Sequence, residues 1–145
     1  MSVEENKANV LRLWEEGFNK GNLSVVDEVM SPNYILHGPF KEYDGPQGFK
    51  NFITMYRDAL PDIRTTVEDM IAEGNKVVTK ISISGTFTNP MIGLPPTGKE
   101  VTITGVFIDR FENGRDVETS LISDMLAWFY QFGAEPPGKD FYQKG

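Results

Sequence analysis

The stretch that most limits what this chain can fold into runs from Ile92 to Glu118, IGLPPTGKEVTITGVFIDRFENGRDVE. A Pro-Pro-Thr-Gly turn leads into a long run of mostly alternating apolar and polar side chains, and Asn113-Gly114 turns that run into a second one. Asn-Gly between two alternating runs is the strongest short-range hairpin signal, because both turn positions require positive φ. A strand spanning Glu100 to Glu112 would extend about 43 Å if flat, more than the width of a small domain, so it has to bend. A bent sheet has a concave side that something must fill, and in a small protein that is often a ligand.

Around this hairpin the period of the apolar residues changes twice. Ser2 and Glu5 stand at capping-box spacing, and Val10, Leu13, Trp14, Gly17 and Phe18 follow as one helical stripe that ends at Gly21-Asn22. A shorter helix from about Leu23 to Met30 stops at Ser31-Pro32, and Tyr34 to His37 is extended. Asp44 and Gln47 again suit a capping box, opening a helix whose stripe is Phe49, Phe52, Ile53, Tyr56 and Leu60 and which Pro61 closes. Beyond it the period falls to about two. Residues Ile63–Ala72, Lys76–Thr88, Glu100–Glu112 and Arg115–Ser123 read as four antiparallel strands, with Gly85 and Gly105 as bends, bulges or points of close backbone approach. Asp124 to Phe132 returns to helical spacing with Gly133 at its C′ position, and AEPPGKDFYQKG reads as a loosely held tail. Helices followed by an antiparallel meander make an α+β layout with the helices on one face of the sheet.

A length of 145 residues reads as a single domain over 1–145. The net charge of −7 disfavours nucleic acid and anionic membrane as partners, both of which call for a basic stripe. No apolar run is long enough to span a bilayer, and MSVEENKANV lacks the features of a signal peptide, so a cytoplasmic location is expected. The chain has no cysteine and therefore no disulfide, thiol nucleophile or thiolate metal site. With one histidine, and no carboxylates at metal-ligand spacing, neither a metal nor another cofactor is expected.

Several segments together carry a family resemblance. They are the first helix ending in Asn-Lys-Gly-Asn, the extended Tyr34-x-x-His37, the helix start D-G-P-x-G-x-K-x-F, V-E-D-M-I-A-E-G, G-x-P-P-T-G-K, and the closing D-x-L…Q-F-G. Over Glu4 to Gly133 the chain resembles a SnoaL-like polyketide cyclase of the nuclear-transport-factor-2-like superfamily. The resemblance implies a cone-shaped curved antiparallel sheet wrapped around the N-terminal helices, with a pocket for a small hydrophobic substrate.

The residues themselves leave acid–base chemistry by isolated carboxylates and one imidazole as the accessible chemistry. Asp124 follows an apolar strand and precedes Met125-Leu126-Ala127-Trp128, a neighbourhood expected to desolvate it, and it reads equally as the N-cap of the last helix. The resemblance implies the catalytic role, since the matching aspartate in these cyclases is the general acid/base of an aldol closure. His37 reads as a pocket residue that orients substrate or relays a proton, or else as a loop histidine bonded to a carbonyl; the family often has a pocket histidine here. Asp109 shares parity with Phe107, which would make it a second buried acid, but the exposed reading beside Arg110 is preferred. Trp14, Phe18, Tyr34, Phe52, Tyr56, Phe87, Phe107, Ile122 and Trp128 are candidates for the pocket lining, with about half of them serving as plain core. The chain departs from the family at Thr119, Ser120 and Phe87, where histidine or tryptophan is common, which points to a more apolar pocket.

Three functions compete on this reading. The first is a cofactor-independent cyclase or isomerase, of lyase or isomerase chemistry, acting on a hydrophobic carbonyl compound through Asp124. The second is an epoxide hydrolase, which resembles the limonene type and needs an Asp–Arg–Asp set that the adjacency of Asp109 and Arg110 breaks. The third is a non-catalytic ligand-binding module. Val78, Val106 and Ile108 on the outer strand face suggest a homodimer in each case.

Overall fold

The computed structural model describes residues 2–135. Its elements are α1 (Val3–Arg12), continued by a π-helical segment (Leu13–Asn19), then α2 (Ser24–Val29), β1 (Met30–His37), β2 (Glu42–Asp44), α3 (Gly45–Ala59), β3 (Arg64–Glu73), β4 (Lys76–Thr86), β5 (Glu100–Glu112), β6 (Arg115–Ser123) and α4 (Met125–Gln131). The strands form one six-stranded sheet in the order β2-β1-β6-β5-β4-β3. The sheet curls around the first helix, its π-helical continuation and α3, which gives the expected α+β cone.

The β5–β6 hairpin has the expected bounds, with Asn113 and Gly114 both at positive φ in its turn. Ser2 caps α1 by accepting the Glu5 N–H at 3.1 Å, and Gly133 takes φ 74° after α4. Other local expectations are corrected. Asp44 makes no side-chain cap on α3; Gln47 bonds Asn51 one turn on instead. Gly85 and Gly105 are close-approach points: an added Cβ would lie 2.9 Å from Leu60 Cβ at the first and 3.2 Å from Leu121 Cδ1 at the second. The ladder irregularities lie elsewhere, between Val67 and Asp69 on β3, between Arg110 and Phe111 on β5, and between Met30 and Ile35 on β1.

Two features connect distant parts of the chain. Strand β1 starts at Met30 and runs through Pro32, which falls within its irregular stretch, as an interior strand tolerates proline only at such points. It pairs in parallel with β6, so the sheet is a meander closed by one parallel pair. The π-helical segment ends at Asn19, whose side-chain amide bonds Thr65 like a strand backbone, accepting its N–H at 2.6 Å and donating to its carbonyl at 3.2 Å. This pins the helix end to the start of β3.

Strand β5 shows how the cone is divided. Val101, Ile103, Gly105, Phe107, Asp109 and Phe111 are buried on its inner face. On the outer face Ile71, Val78 and Ile108 pair across β3, β4 and β5, and Val106 pairs with Ile122. Ile71 and Ile122 are 63% and 64% exposed.

Candidate functional site

Inside the cone the side chains sort into an apolar upper part and a polar floor. The upper part holds a cavity of about 20 Å³ lined by Phe52, Tyr56, Ile81, Ile83, Ile103, Phe107 and Leu121, with Thr104, Gly105 and Ser123 completing the wall. That is room for about one water molecule. Aromatic packing closes the space: Trp14 stacks on Phe18 at 4.6 Å and meets Phe107 edge-on at 4.7 Å, and Phe52 packs on Tyr56 at 5.3 Å. On the side of α4, Trp128 packs on Phe132 and Phe40, and its indole N–H donates to the Tyr56 hydroxyl at 3.1 Å. Burial pushes the Tyr56 phenol up to about 12, so it stays protonated.

Of the proposed lining residues, Phe52, Tyr56 and Phe107 border this cavity. Trp14, Phe18, Tyr34, Phe87 and Trp128 are buried and fill the surrounding core, with Phe87 packed on Phe132 at 4.9 Å. Ile122 is corrected: it points outward, because Leu121 is the residue that pairs with inward-facing Phe107.

The floor carries an unbroken hydrogen-bonded chain. Tyr34 Oη donates to Thr119 Oγ1 at 2.6 Å, and Thr119 donates to Asp109 Oδ1 at 2.5 Å. Asp109 in turn faces Asp116, and the two are 4% and 0% exposed. The preferred exposed reading of Asp109 is therefore overturned, while its shared parity with Phe107 holds. Burial raises the Asp109 carboxyl, and burial together with the neighbouring Asp109 charge raises Asp116 well above the usual carboxylate range. As a carboxylate, Asp116 Oδ2 would be buried with no donor beside it; protonated, it becomes the donor to Asp109. The two facing carboxyls therefore titrate as a pair. The hairpin turn puts Asp116 opposite Phe111, and the irregularity between Arg110 and Phe111 then puts Thr119 opposite Asp109, so two β6 residues three apart both face inward.

Asp116 is absent from the sequence candidates although a signal for it exists. A two-residue Asn-Gly turn places Glu112 opposite Arg115, and hence Phe111 opposite Asp116 on the inner face.

Asp124 lies at the rim, one residue beyond the cavity-lining Ser123. It is exposed, and its Oδ1 accepts the Ala127 N–H at 3.1 Å as the N-cap of α4. The expected desolvation is absent, because the unpaired N–H groups opening α4 draw the carboxylate outward. His37 also departs from expectation. Buried Tyr34 and Leu36 take the inner parity of β1, which leaves His37 on the outer face. There Nδ1 meets Glu42 at 2.5 Å and Nε2 meets Glu118 at 2.8 Å, and Glu118 also accepts from Arg110 Nε at 3.1 Å. Hydrogen bonds to Glu118 and Glu42 raise the imidazole above its ordinary value. Asp109 and Arg110 occupy opposite faces, as strand alternation requires. Among the described residues, no three histidine or acidic side chains gather as a metal-binding group.

Comparison with known proteins places this geometry in a family. The sequence matches the family model described as SnoaL-like polyketide cyclase over residues 8–132. A protein of Jannaschia sp. CCS1 assigned as a SnoaL-like polyketide cyclase is 27% identical, with a TM-score of 0.81 over 92% of this chain and 95% of that one. IdmH of Streptomyces antibioticus, assigned as a polyketide cyclase, is 27% identical with a TM-score of 0.74 over 89% of this chain and 99% of its own. AclR of Streptomyces galilaeus, assigned as a hydroxylase, shares the fold at 24% identity and a TM-score of 0.79, over 99% of this chain and 95% of that one. No curated protein sequence matches. The curled sheet, the filled cone and the matched residues agree, and the chain belongs to the SnoaL-like polyketide cyclase family.

Proposed function

We propose that the protein is a cofactor-independent cyclase or isomerase of a hydrophobic, carbonyl-bearing, polyketide-like molecule, with Asp124 as its general acid/base. The observation that carries this reading is an apolar cavity inside the cone whose wall ends at Ser123, one residue before a carboxylate at the rim. An α-proton beside a carbonyl is acidic enough for one positioned carboxylate to remove. The carbanion then attacks a second carbonyl of the same molecule, a C–C bond forms, and the alkoxide takes a proton back from the Asp124 carboxyl. Proton removal and return without the ring closure is an isomerisation. Ligand cavities usually measure about 300–1,000 Å³, so on this reading the substrate enters by displacing α4, whose Trp128 bonds the cavity-lining Tyr56. His37 on this reading clasps β1, β2 and β6 together and stays out of the chemistry.

The test is enzyme-dependent exchange of α-protons for deuterium, followed by NMR over a panel of aryl ketones and 1,3-diketones in D2O. Wild-type protein accelerates exchange, and Asp124→Asn, which keeps a good N-cap, loses about 10²–10⁴ of that rate. Absence of enzyme-dependent exchange across the panel would sink the reading in favour of a binding module.

The same proposal includes a cytoplasmic homodimer. The apolar outer row Ile71, Val78 and Ile108, with Val106 and Ile122 beside it, is the face we assign to the second copy. Sedimentation at micromolar concentration as a monomer would remove that part.

A further inference from the structure

We infer that Tyr56 is the hydrogen-bond donor that holds the substrate's carbonyl oxygen in the apolar cavity, which makes the site selective for ketones over hydrocarbons of the same shape. The inference rests on the proposed carbonyl chemistry and adds a residue to it. A phenol has one proton to give and can accept through its oxygen. The Trp128 indole N–H already donates to that oxygen at 3.1 Å, so one acceptor position is taken and the hydroxyl proton is turned away from the indole. Among the described residues the Tyr56 hydroxyl has no acceptor for its proton, and Tyr56 is one of the residues lining the cavity.

The rest of the wall offers little competition. Phe52, Ile81, Ile83, Ile103, Phe107 and Leu121 carry no polar side-chain atom, Thr104 has the exposed outer parity of β5, and the Ser123 hydroxyl is engaged with the Thr104 carbonyl at 3.1 Å. A ligand oxygen in this space therefore finds its donor at Tyr56. In water-excluded surroundings such a donor gains strength as charge builds on that oxygen, which favours an enolate over the parent ketone. Burial keeps the phenol protonated throughout the working pH range. Trp128 acts through Tyr56 as a positioning residue. Because α4 carries Trp128, closing of α4 over a substrate would orient the donor in the same movement.

The experiment follows the carbonyl stretch of 13C=O acetophenone by infrared difference spectroscopy with the full chain. In wild-type protein the bound ketone should absorb at lower frequency than it does in hexane. Tyr56→Phe should abolish that shift and weaken binding about tenfold, while Asp124→Asn retains the shift. Since Tyr56→Phe leaves the Trp128 N–H unpaired and risks the fold, 3-fluorotyrosine in place of Tyr56 provides a second reading. It has nearly the same shape and a more acidic phenol, so it should move the band further down. A bound ketone with its frequency unshifted, or a shift unchanged by both replacements, overturns the role of Tyr56 and leaves the cyclase reading standing. No binding to wild-type protein overturns the carbonyl-site reading itself and the role of Tyr56 with it.

Discussion

At the floor of the cone two aspartates face each other out of reach of water, and at its mouth a third stands in solvent with its carboxylate on a helix end. The floor pair is bracketed by Phe107 and Phe111 on β5 and is bonded onward to Thr119 and Tyr34. Its partners are all protein groups, and burial raises both of its carboxyls. Asp124 has one backbone partner and an open side. A perturbed carboxyl is often taken as the sign of a functional site. Here the most perturbed carboxyls lie outside the cavity lining, and the acid we propose for the chemistry is the exposed one. On the proposed reading, perturbation alone would direct attention to the wrong end of the cone.

The comparison breaks most severely if the floor does not need its hydrogen bonds. Thr119→Val keeps the shape but removes the donor to Asp109 and the acceptor for Tyr34. We expect a loss of about 1–3 kcal/mol for each partner left unpaired, measured by urea unfolding. A change near zero would mean that water replaces the threonine freely and that the floor is wet.

A smaller effect sharpens the same contrast through pH. Both floor carboxyls are raised in the folded protein, chiefly by burial. The unfolded chain therefore releases these protons first, from about pH 3.9 upward, and the contribution of the pair falls as pH rises toward the folded values. Asp109, Tyr34 and Thr119 face Asp116 on the inner side, and the positive charge of Arg110 opposes the shift only in part. Asp116→Asn keeps a donor to Asp109 without a titrating proton, so its stability should depend less on pH across this window than the wild type's. Unfolding free energies measured at several pH values check this, and an unchanged slope would mean that the pair does not carry it.

The outer face provides the smallest effect. The His37 imidazole is raised by Glu118 and Glu42, so its contribution is fully present below the unfolded value of 6.5 and is lost as pH rises through the folded value. The side chains involved are partly exposed, so screening limits His37→Ala to a loss of at most about 1 kcal/mol at pH 6. A loss that grows with pH would contradict the ion-pair origin.

What the sequence disclosed follows the range of the interactions. The bounds of β5 and β6, the Ser2 cap and the Gly133 helix end depend on a few neighbouring residues, and they were legible. The parallel pairing of β1 with β6 joins residues more than eighty positions apart, and no local pattern announces it. Side-chain direction fell between these cases. Parity placed Asp109 with Phe107 correctly, yet the charge of Asp109 beside Arg110 argued for exposure, because its buried partner Thr119 is brought opposite it only by a ladder irregularity. The same uncertainty of register sent Ile122 inward and His37 into the pocket, where the structure has Leu121 and the outer ion pairs. Asp124 was placed at the right junction but in the wrong surroundings, since an apolar flanking sequence does not reveal that a helix start turns toward water.

The contrast between mouth and floor is tested most directly by measuring α-proton exchange for Asp124→Asn and Asp116→Asn side by side on one ketone that wild-type protein exchanges. The account predicts a loss of about 10²–10⁴ for Asp124→Asn and a rate within a few-fold of wild type for Asp116→Asn. A wild-type rate for Asp124→Asn, with the loss falling on Asp116→Asn, would contradict it and move the chemistry to the buried pair.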